Sequence, residues 1–294
     1  MSTLPPASIA AAFPKRALDL YKYSAGTVTV VGGSARYIHA PVIAALGARA
    51  AGAGLVQLVV PDASRIAAGA LVPEATFTKL TPACVPPRAD VAVIGMGLGS
   101  TPNAEMLVSR LLSGSAGRFV LDADALTVLA NWYAKKPNAL PVTEGQTIVL
   151  TPHAGEAARL LACRSEDVQR DRVAAMRQIV GRYHAVVVLK GARTLVAAPG
   201  SEEIFACEAG NPFMAMGGMG DLLAGVLAAR WAYLAKQGTY SSDERACAFM
   251  AAAGAVWLHA AASDSLVRAE PPHDPSIVNT AQAVASLRVR LERN

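Results

Sequence analysis

The sequence predicts an α/β fold on an open, parallel sheet, and three observations carry that expectation. Short β-branched runs alternate with helical patterns through most of the chain. Several of those runs end in glycine, aspartate, histidine or lysine, as suits a sheet that binds ligands at the carboxyl ends of its strands. Hydrophobic residues make up 53% of the 294, much of them alanine, whose small side chains let helices lie closely on a sheet.

Thr27 to Val31, all threonine and valine, predicts the first strand, and it ends at Gly32-Gly33-Ser34. A helical pattern from Pro41 to Ala53 follows, then a strand from Leu55 to Val60. Strand, glycine turn, helix, strand is the repeating unit of a parallel sheet. Val91 to Ile94 is a short apolar strand closed by Gly95-Met96-Gly97-Leu98-Gly99, with Asn103 to Leu112 helical behind it. Phe119 to Leu121 is a strand ending in Asp122-Ala123-Asp124, and Ile148 to Leu150 one that stops at Thr151-Pro152-His153. Glu156 to Cys163 and Asp167 to Arg182 read as helices. Ala185 to Leu189 is a β-branched strand ending at Lys190-Gly191, and Thr194 to Ala197 adds another beyond a turn. From Asp221 onward the pattern is helical, with segments from Leu222 to about Leu234, Asp243 to His259 and Ile277 to Arg288. The run Pro271 to Pro275 is a loop. With no repeat, low-complexity tail or linker, residues 25–294 read as one domain, preceded by residues 1–24 as an N-terminal extension or first helix.

The formal charge is +5, from 27 basic and 22 acidic residues, a mild bias that suits an anionic small ligand without requiring one. Aromatic residues are 5% and interleave with no dense basic cluster, so no nucleic-acid partner is predicted. Cys84, Cys163, Cys207 and Cys247 are scattered, form no metal-ligand pair and read as reduced thiols. The N-terminus lacks a basic patch followed by an apolar run, so no secretory signal is expected. Glycine, arginine, lysine or histidine interrupts the alanine-rich stretches from Leu222 and Ala246, so the expectation is a cytoplasmic protein with no membrane span.

The most informative stretch is Gly217-Gly218-Met219-Gly220-Asp221. Small residues leading into a helix let backbone N–H groups converge on an anion, with the Asp221 carboxylate beside it as a base. The same spacing describes an aspartate N-cap after a flexible turn. The glycines at 95–99 do not match the dinucleotide fingerprint, and no Walker A motif exists. Lys190-Gly191-Ala192-Arg193-Thr194 sets a cation and a hydroxyl about a turn that suits a phosphate or ribose, or is an ordinary β-turn. His153 and Glu156 lie around the start of a helix, and a lone His-x-x-Glu is no metal motif. Asp122 and Asp124 would face one side if the strand pitch persisted, steering Mg2+ or a hydroxyl through water, or would cap the helix that follows.

Motifs in a fixed order carry a family resemblance. Gly32-Gly33-Ser34, Tyr37, Ala40, Gly52-Ala53-Gly54-Leu55, Pro73-Glu74, Ile94-Gly95 with Gly97-Leu98-Gly99, Leu121 to Leu126, Leu150 to Glu156 and Val188 to Gly191 belong to it. So do Gly210-Asn211-Pro212 and Gly217-Gly218 with Gly220-Asp221. The chain resembles the ADP/ATP-dependent NAD(P)H-hydrate dehydratases of the ribokinase-like superfamily, over about residues 25 to 288. The resemblance implies a three-layer α/β/α sandwich with a central, mostly parallel sheet. It implies phosphorylation of the C6 hydroxyl of hydrated NADH or NADPH by ADP or ATP with Mg2+, then loss of phosphate. Asp221 would be the base, with Gly218 and Gly220 in the anion hole. Ala40, Gly97, His153 and Asp221 would contact the hydrate, while Lys190, Gly191, Ala192, Arg193, Thr194 and Gly220 would contact the nucleotide. Asn211 would fix the loop before the anion hole or cap a turn. The resemblance also implies a homotetramer or dimer, and with only about two dozen residues before the first strand no fused epimerase domain is expected in this chain.

The chain departs from the family pattern at His39, Met96, Phe213, Met216 and Met219. Bulky apolar residues at 213, 216 and 219 are expected to remove hydroxyl donors and consume volume beside the anion hole, sparing the backbone amides. Two other readings keep the scaffold: a kinase that phosphorylates a small alcohol without elimination, and a non-catalytic nucleotide-binding homologue.

Overall fold

A computed structural model of the chain describes residues 4–114, 117–136 and 145–293. Its strands are β1 (Thr27–Val31), β2 (Leu55–Val60), β3 (Thr76–Lys79), β4 (Val91–Ile94), β5 (Gly117–Leu121), β6 (Gln146–Leu150), β7 (Val186–Leu189), β8 (Leu195–Ala197) and β9 (Ile204–Ala206). They form one sheet in the order β3-β2-β1-β4-β5-β6-β7-β8-β9. Every pairing from β3 to β7 is parallel, and β8 and β9 close the edge antiparallel.

The helices are α1 (Ala40–Ala50), α2 (Asp62–Leu71), α3 (Pro102–Leu112), α4 (Asp124–Lys135), α5 (Ala154–Leu161), α6 (Ser165–Arg170), α7 (Arg172–Tyr183), α8 (Met219–Gln237), α9 (Glu244–Val267) and α10 (Ile277–Arg293). One core layer joins α1, α8, α9 and α10 to the sheet, and the other joins α3, α4, α5 and α7. The continuous apolar run of β7 follows from this: Val186 and Val188 pack into the first layer, Val187 and Leu189 into the second. The result is a three-layer α/β/α sandwich with a central, mostly parallel sheet.

Two glycines set the depth of α8. A methyl group at Gly47 would sit 2.2 Å from the Leu222 carbonyl oxygen, and one at Gly225 1.8 Å from that of Ala44. Without those methyls the backbones of α1 and α8 touch, which seats the amino end of α8 beside the first turn of α1. The N-terminal segment contributes a 3-10 turn, Ala7–Ala12, whose Ile9 and Ala12 join the first core layer.

The structure alters several expectations. The single helix expected from Asp167 to Arg182 is two, because Asp171 leaves helical geometry and accepts a hydrogen bond from the Ala174 amide, capping α7. β3, β9 and α2 were not anticipated; β3 is an edge strand with mostly exposed side chains and so lacks apolar alternation. The stretch around Ala246 was expected to break before membrane-spanning length, yet α9 runs for 24 residues and is long and apolar enough to cross a membrane. Of its apolar window, 89% is buried inside the fold, which makes it a core helix.

Candidate active site

The carboxyl ends of the strands converge. The Gly33 amide donates to the Met96 carbonyl at 2.8 Å, joining the turn after β1 to the loop after β4. A methyl at Gly95 would sit 1.9 Å from the Asp122 carbonyl oxygen, so that loop lies against the end of β5. The Gly99 amide donates to Asp124 at 2.7 Å. Asp122 itself accepts from Lys190 Nζ at 2.7 Å, and that ammonium lies 3.7 Å from Glu156 Oε2. One edge therefore joins the ends of β4 and β5, the first turns of α4 and α5 and the end of β7.

The first turn of α8 sits over this cluster. Gly218 is the N-cap, in the left-handed region at φ 94°, with no side chain capping the helix. Asp221 is therefore the third residue of the helix, and the N-cap reading of Asp221 does not hold. Among the described residues, no acceptor takes the amides of Gly217, Gly218, Gly220 or Asp221. Unbonded amides at the start of a 19-residue helix form a site for an anion. A methyl at Gly220 would lie 3.1 Å from Lys190 Nζ and 3.9 Å from Asp122 Oδ2, so the helix rests almost directly on the Lys190–Asp122 pair. Burial and Asp122 push the Asp221 carboxyl up to about 7, with Glu156 and Asp124 adding to the rise and Lys190 opposing it. A carboxylate with that value is suited to accept a proton near neutral pH.

His153 is the N-cap of α5. Its Nδ1 accepts from the amides of Gly155 at 3.0 Å and Glu156 at 3.3 Å, while the His153 amide donates to Glu156 Oε2 at 2.8 Å. With Nδ1 accepting, the neutral ring carries its proton on Nε2, on a side chain 55% exposed. Ala40 is the first residue of α1, and a methyl at Gly218 would lie 2.9 Å from Ile43 Cδ1 in that same turn. Gly97 has φ 67°, and a methyl there would strike Tyr37 Cβ at 2.4 Å.

The 190–194 segment divides. Lys190 points inward, whereas Gly191, Ala192 and Arg193 are exposed. Arg193 pairs with Glu208, the Ala192 carbonyl accepts from Arg172 at 2.6 Å, and the Thr194 hydroxyl donates to the Gly191 carbonyl at 3.0 Å. Asn211 both caps and anchors: its Oδ1 accepts from the Phe213 amide, while its Nδ2 donates to Asp264 at 2.9 Å and Ser263 at 3.1 Å.

Of the bulky departures, Met96 and Met219 are buried in the core layer and so do not fill the anion site, whereas Phe213 is 60% exposed, Met216 38% exposed and His39 exposed. Asp122 and Asp124 cap no helix, since Ala123 is the N-cap of α4 and receives no side-chain bond. Each is spent on a separate partner, Lys190 and the Gly99 amide. Among the described residues, no group of three His, Cys, Asp or Glu side chains is placed to hold a metal.

Sequence reading missed two features of this edge. The first is the buried ion cluster about Lys190, signalled by a lysine directly after a fully apolar parallel strand, where a cation needs a partner. The second is Asp264, an acid inside the apolar helix α9 that also accepts from the Gly210 amide at 3.1 Å and so holds the loop ahead of α8.

The sheet order and the convergence of its strand ends define a three-layer α/β/α protein with its candidate site at the carboxyl edge of a mostly parallel sheet. The fold is similar to that of an ADP/ATP-dependent NAD(P)H-hydrate dehydratase from Bacillus subtilis co-crystallized with ATP/Mg2+, with a TM-score of 0.79, 24% identity and coverage of 97% of this chain and 96% of that one. The family model for NAD(P)H-hydrate dehydratase matches residues 28–280, and the chain belongs to that family. It is 37% identical over 273 residues to a bifunctional NAD(P)H-hydrate repair enzyme of Gloeobacter violaceus, covering 90% of this chain and 49% of that protein. It is 38% identical over 256 residues to an ADP-dependent (S)-NAD(P)H-hydrate dehydratase of Neisseria meningitidis serogroup B, covering 86% and 81%. The chain spans about half the length of the bifunctional relative, or less for the others of that kind.

Proposed function

We propose that this chain dehydrates hydrated NADH and NADPH with ADP or ATP as phosphoryl donor. The observation that carries the reading is the pairing of Asp221 with the unbonded amides of Gly217, Gly218 and Gly220 at the start of α8. Family membership and the donor in the name of the Neisseria relative support it.

In this reaction Asp221 takes the proton of the C6 hydroxyl as that oxygen attacks the terminal phosphorus of the donor, and the bond to the departing nucleotide breaks. The amides hold the equatorial oxygens of the phosphoryl group, where charge is shared in the transition state. The C6–O bond then breaks with its electron pair leaving on phosphate, and the neighbouring C–H proton passes to that phosphate or to water as its electrons form the ring double bond. Ala40, Gly97 and His153 contact the hydrate, with His153 Nε2–H as a donor to its ribose, phosphate or carboxamide. Gly191, Ala192, Arg193 and Thr194, with Gly220, contact the nucleotide; Lys190 faces inward, so this segment offers its backbone and Arg193. The unbonded amides suit phosphate oxygens, and Mg2+ held by those oxygens would neutralise their charge.

The test incubates purified protein with each hydrate, Mg2+ and either ADP or ATP, following the absorbance of the restored dihydronicotinamide. Recovery with one donor is expected, and no recovery with either overturns the reading. A phosphorylated product that keeps its hydroxyl carbon saturated would make the protein a kinase. A homo-oligomer, dimer or tetramer, is the companion proposal. Exposed Leu18, Tyr21 and Tyr23, close together before β1, support it, and light scattering would measure it. A cytoplasmic setting, where this substrate pool circulates, agrees with four unpaired thiols and is checked by cell fractionation.

A further inference from the structure

We infer that Lys190 is a positioning residue for Asp221: a buried cation, anchored by Asp122 and roofed by Gly220, that keeps the Asp221 carboxylate available as a proton acceptor. The inference rests on the reading of Asp221 as the base and gives Lys190 a task other than binding nucleotide.

The geometry is that of a fixed charge. Lys190 leaves the end of β7, its side chain is 17% exposed, and it donates to Asp122 at 2.7 Å while facing Glu156 at 3.7 Å. The charged groups facing Asp221 are Asp122 from the end of β5, Asp124 from α4, Glu156 from α5 and Lys190 itself. One cation thus serves three carboxyl groups, those of Asp122, Glu156 and Asp221. Burial disfavours the ammonium, yet Asp122, Glu156 and Asp221 together hold Lys190 above the ordinary lysine value, so it stays charged. Gly220 completes the arrangement, because a methyl group there would lie 3.1 Å from the ammonium, closer than an ordinary contact. Without the cation, Asp221 would be a buried acid beside three others and would stay protonated through neutral pH.

The test compares Lys190→Met, Asp122→Asn and the double variant in the full chain. The first readout is the titration of the Asp221 carboxyl carbon by 13C NMR without substrate, assigned by its loss in Asp221→Asn. The second is the pH dependence of kcat/KM for the hydrate. Lys190→Met should raise the midpoint by about one pH unit or more, and Asp122→Asn should lower it. The double variant should lie between the two. If Lys190→Met does not fold, the double variant against Asp122→Asn alone makes the same measurement, because both members of the buried pair are then removed. There the loss of the cation should again raise the midpoint. A midpoint that stays put overturns the inference. So does a rise of about tenfold or more in nucleotide KM with an unmoved pH profile, which would return Lys190 to nucleotide binding. The NMR titration decides this inference without turnover, whereas turnover of the unmodified chain decides the proposed reaction, so the two fail separately.

Discussion

Two buried charge clusters in this protein have opposite compositions. At the carboxyl edge of the sheet, one lysine stands among three carboxyl groups, those of Asp122, Glu156 and Asp221. At the other end of α1 and further along α8, one carboxylate, Glu292, stands among Arg16, Arg230 and Arg288. Backbone carbonyls absorb the surplus arginine donors: those of Ala12, Ala50 and Gly52 accept from Arg230, Arg288 and Arg16. Burial pushes the Glu292 carboxyl up, but the three guanidiniums outweigh it and hold the group below its ordinary value. The arginine cluster is thus satisfied apart from the buried Arg230 Nε, which has no partner among the described residues, and it clasps the N-terminal segment to α8 and α10. The acid cluster leaves one member, Asp221, raised to about 7. A satisfied cluster contributes to the fold, whereas an unsatisfied one contributes chemistry.

The largest effect should come from removing the unsatisfied acid. Asp221→Asn should lower kcat by about 10²- to 10⁴-fold, the usual contribution of a general base, with nucleotide binding retained by calorimetry. Near-full turnover in that variant would remove Asp221 from the base role. The unmodified protein should lose kcat/KM as pH falls through about 7, because the base must be unprotonated.

Breaking the clasp should act on stability alone. Glu292→Gln leaves three arginines without their acid and should cost about 3–5 kcal/mol in urea denaturation, with kcat per folded molecule unchanged. The two clusters should also separate by pH. Glu292 has a lowered folded-state value, so its stabilisation is present above its unfolded value of 4.5 and is lost as pH falls below it. Asp221 has a raised value, so the native state loses stability as pH rises from 3.8 towards about 7. Asp221→Asn should therefore stabilise the protein by up to about 4 kcal/mol at pH 8 and by nearly nothing at pH 3. The smallest effect should be that of Arg16→Met at the partly exposed rim of the clasp. Glu292 keeps two guanidiniums there, and the loss should stay under about 1 kcal/mol in the same urea assay.

Much of the fold was legible as pattern. β1, β2 and β4 lie where the β-branched runs put them, because strands covered on both faces read as runs dominated by valine and other β-branched or apolar residues. The exposed edge strand β3 carries no such run, and the break at Asp171 was hidden because an aspartate suits a helix surface as well as a cap. In the site, Asp221, His153, Asp122 and Lys190 were each visible at a strand end or helix start. Their partners were not. That Lys190 turns away from its own loop to Asp122, 68 residues earlier, is a matter of strand order.

The sequence by itself determined the alternation of strands and helices, the family, and the glycine-rich entry to α8, because local propensity and motif order reside in neighbouring residues. Only the tertiary structure decided that Met219 packs into the core instead of filling the anion site, and that Gly47 and Gly225 bring two helix backbones into contact. It alone decided that a single ammonium lies beneath the first turn of α8. Those outcomes depend on which distant segments share a dielectric and a volume, and no window of sequence contains that information.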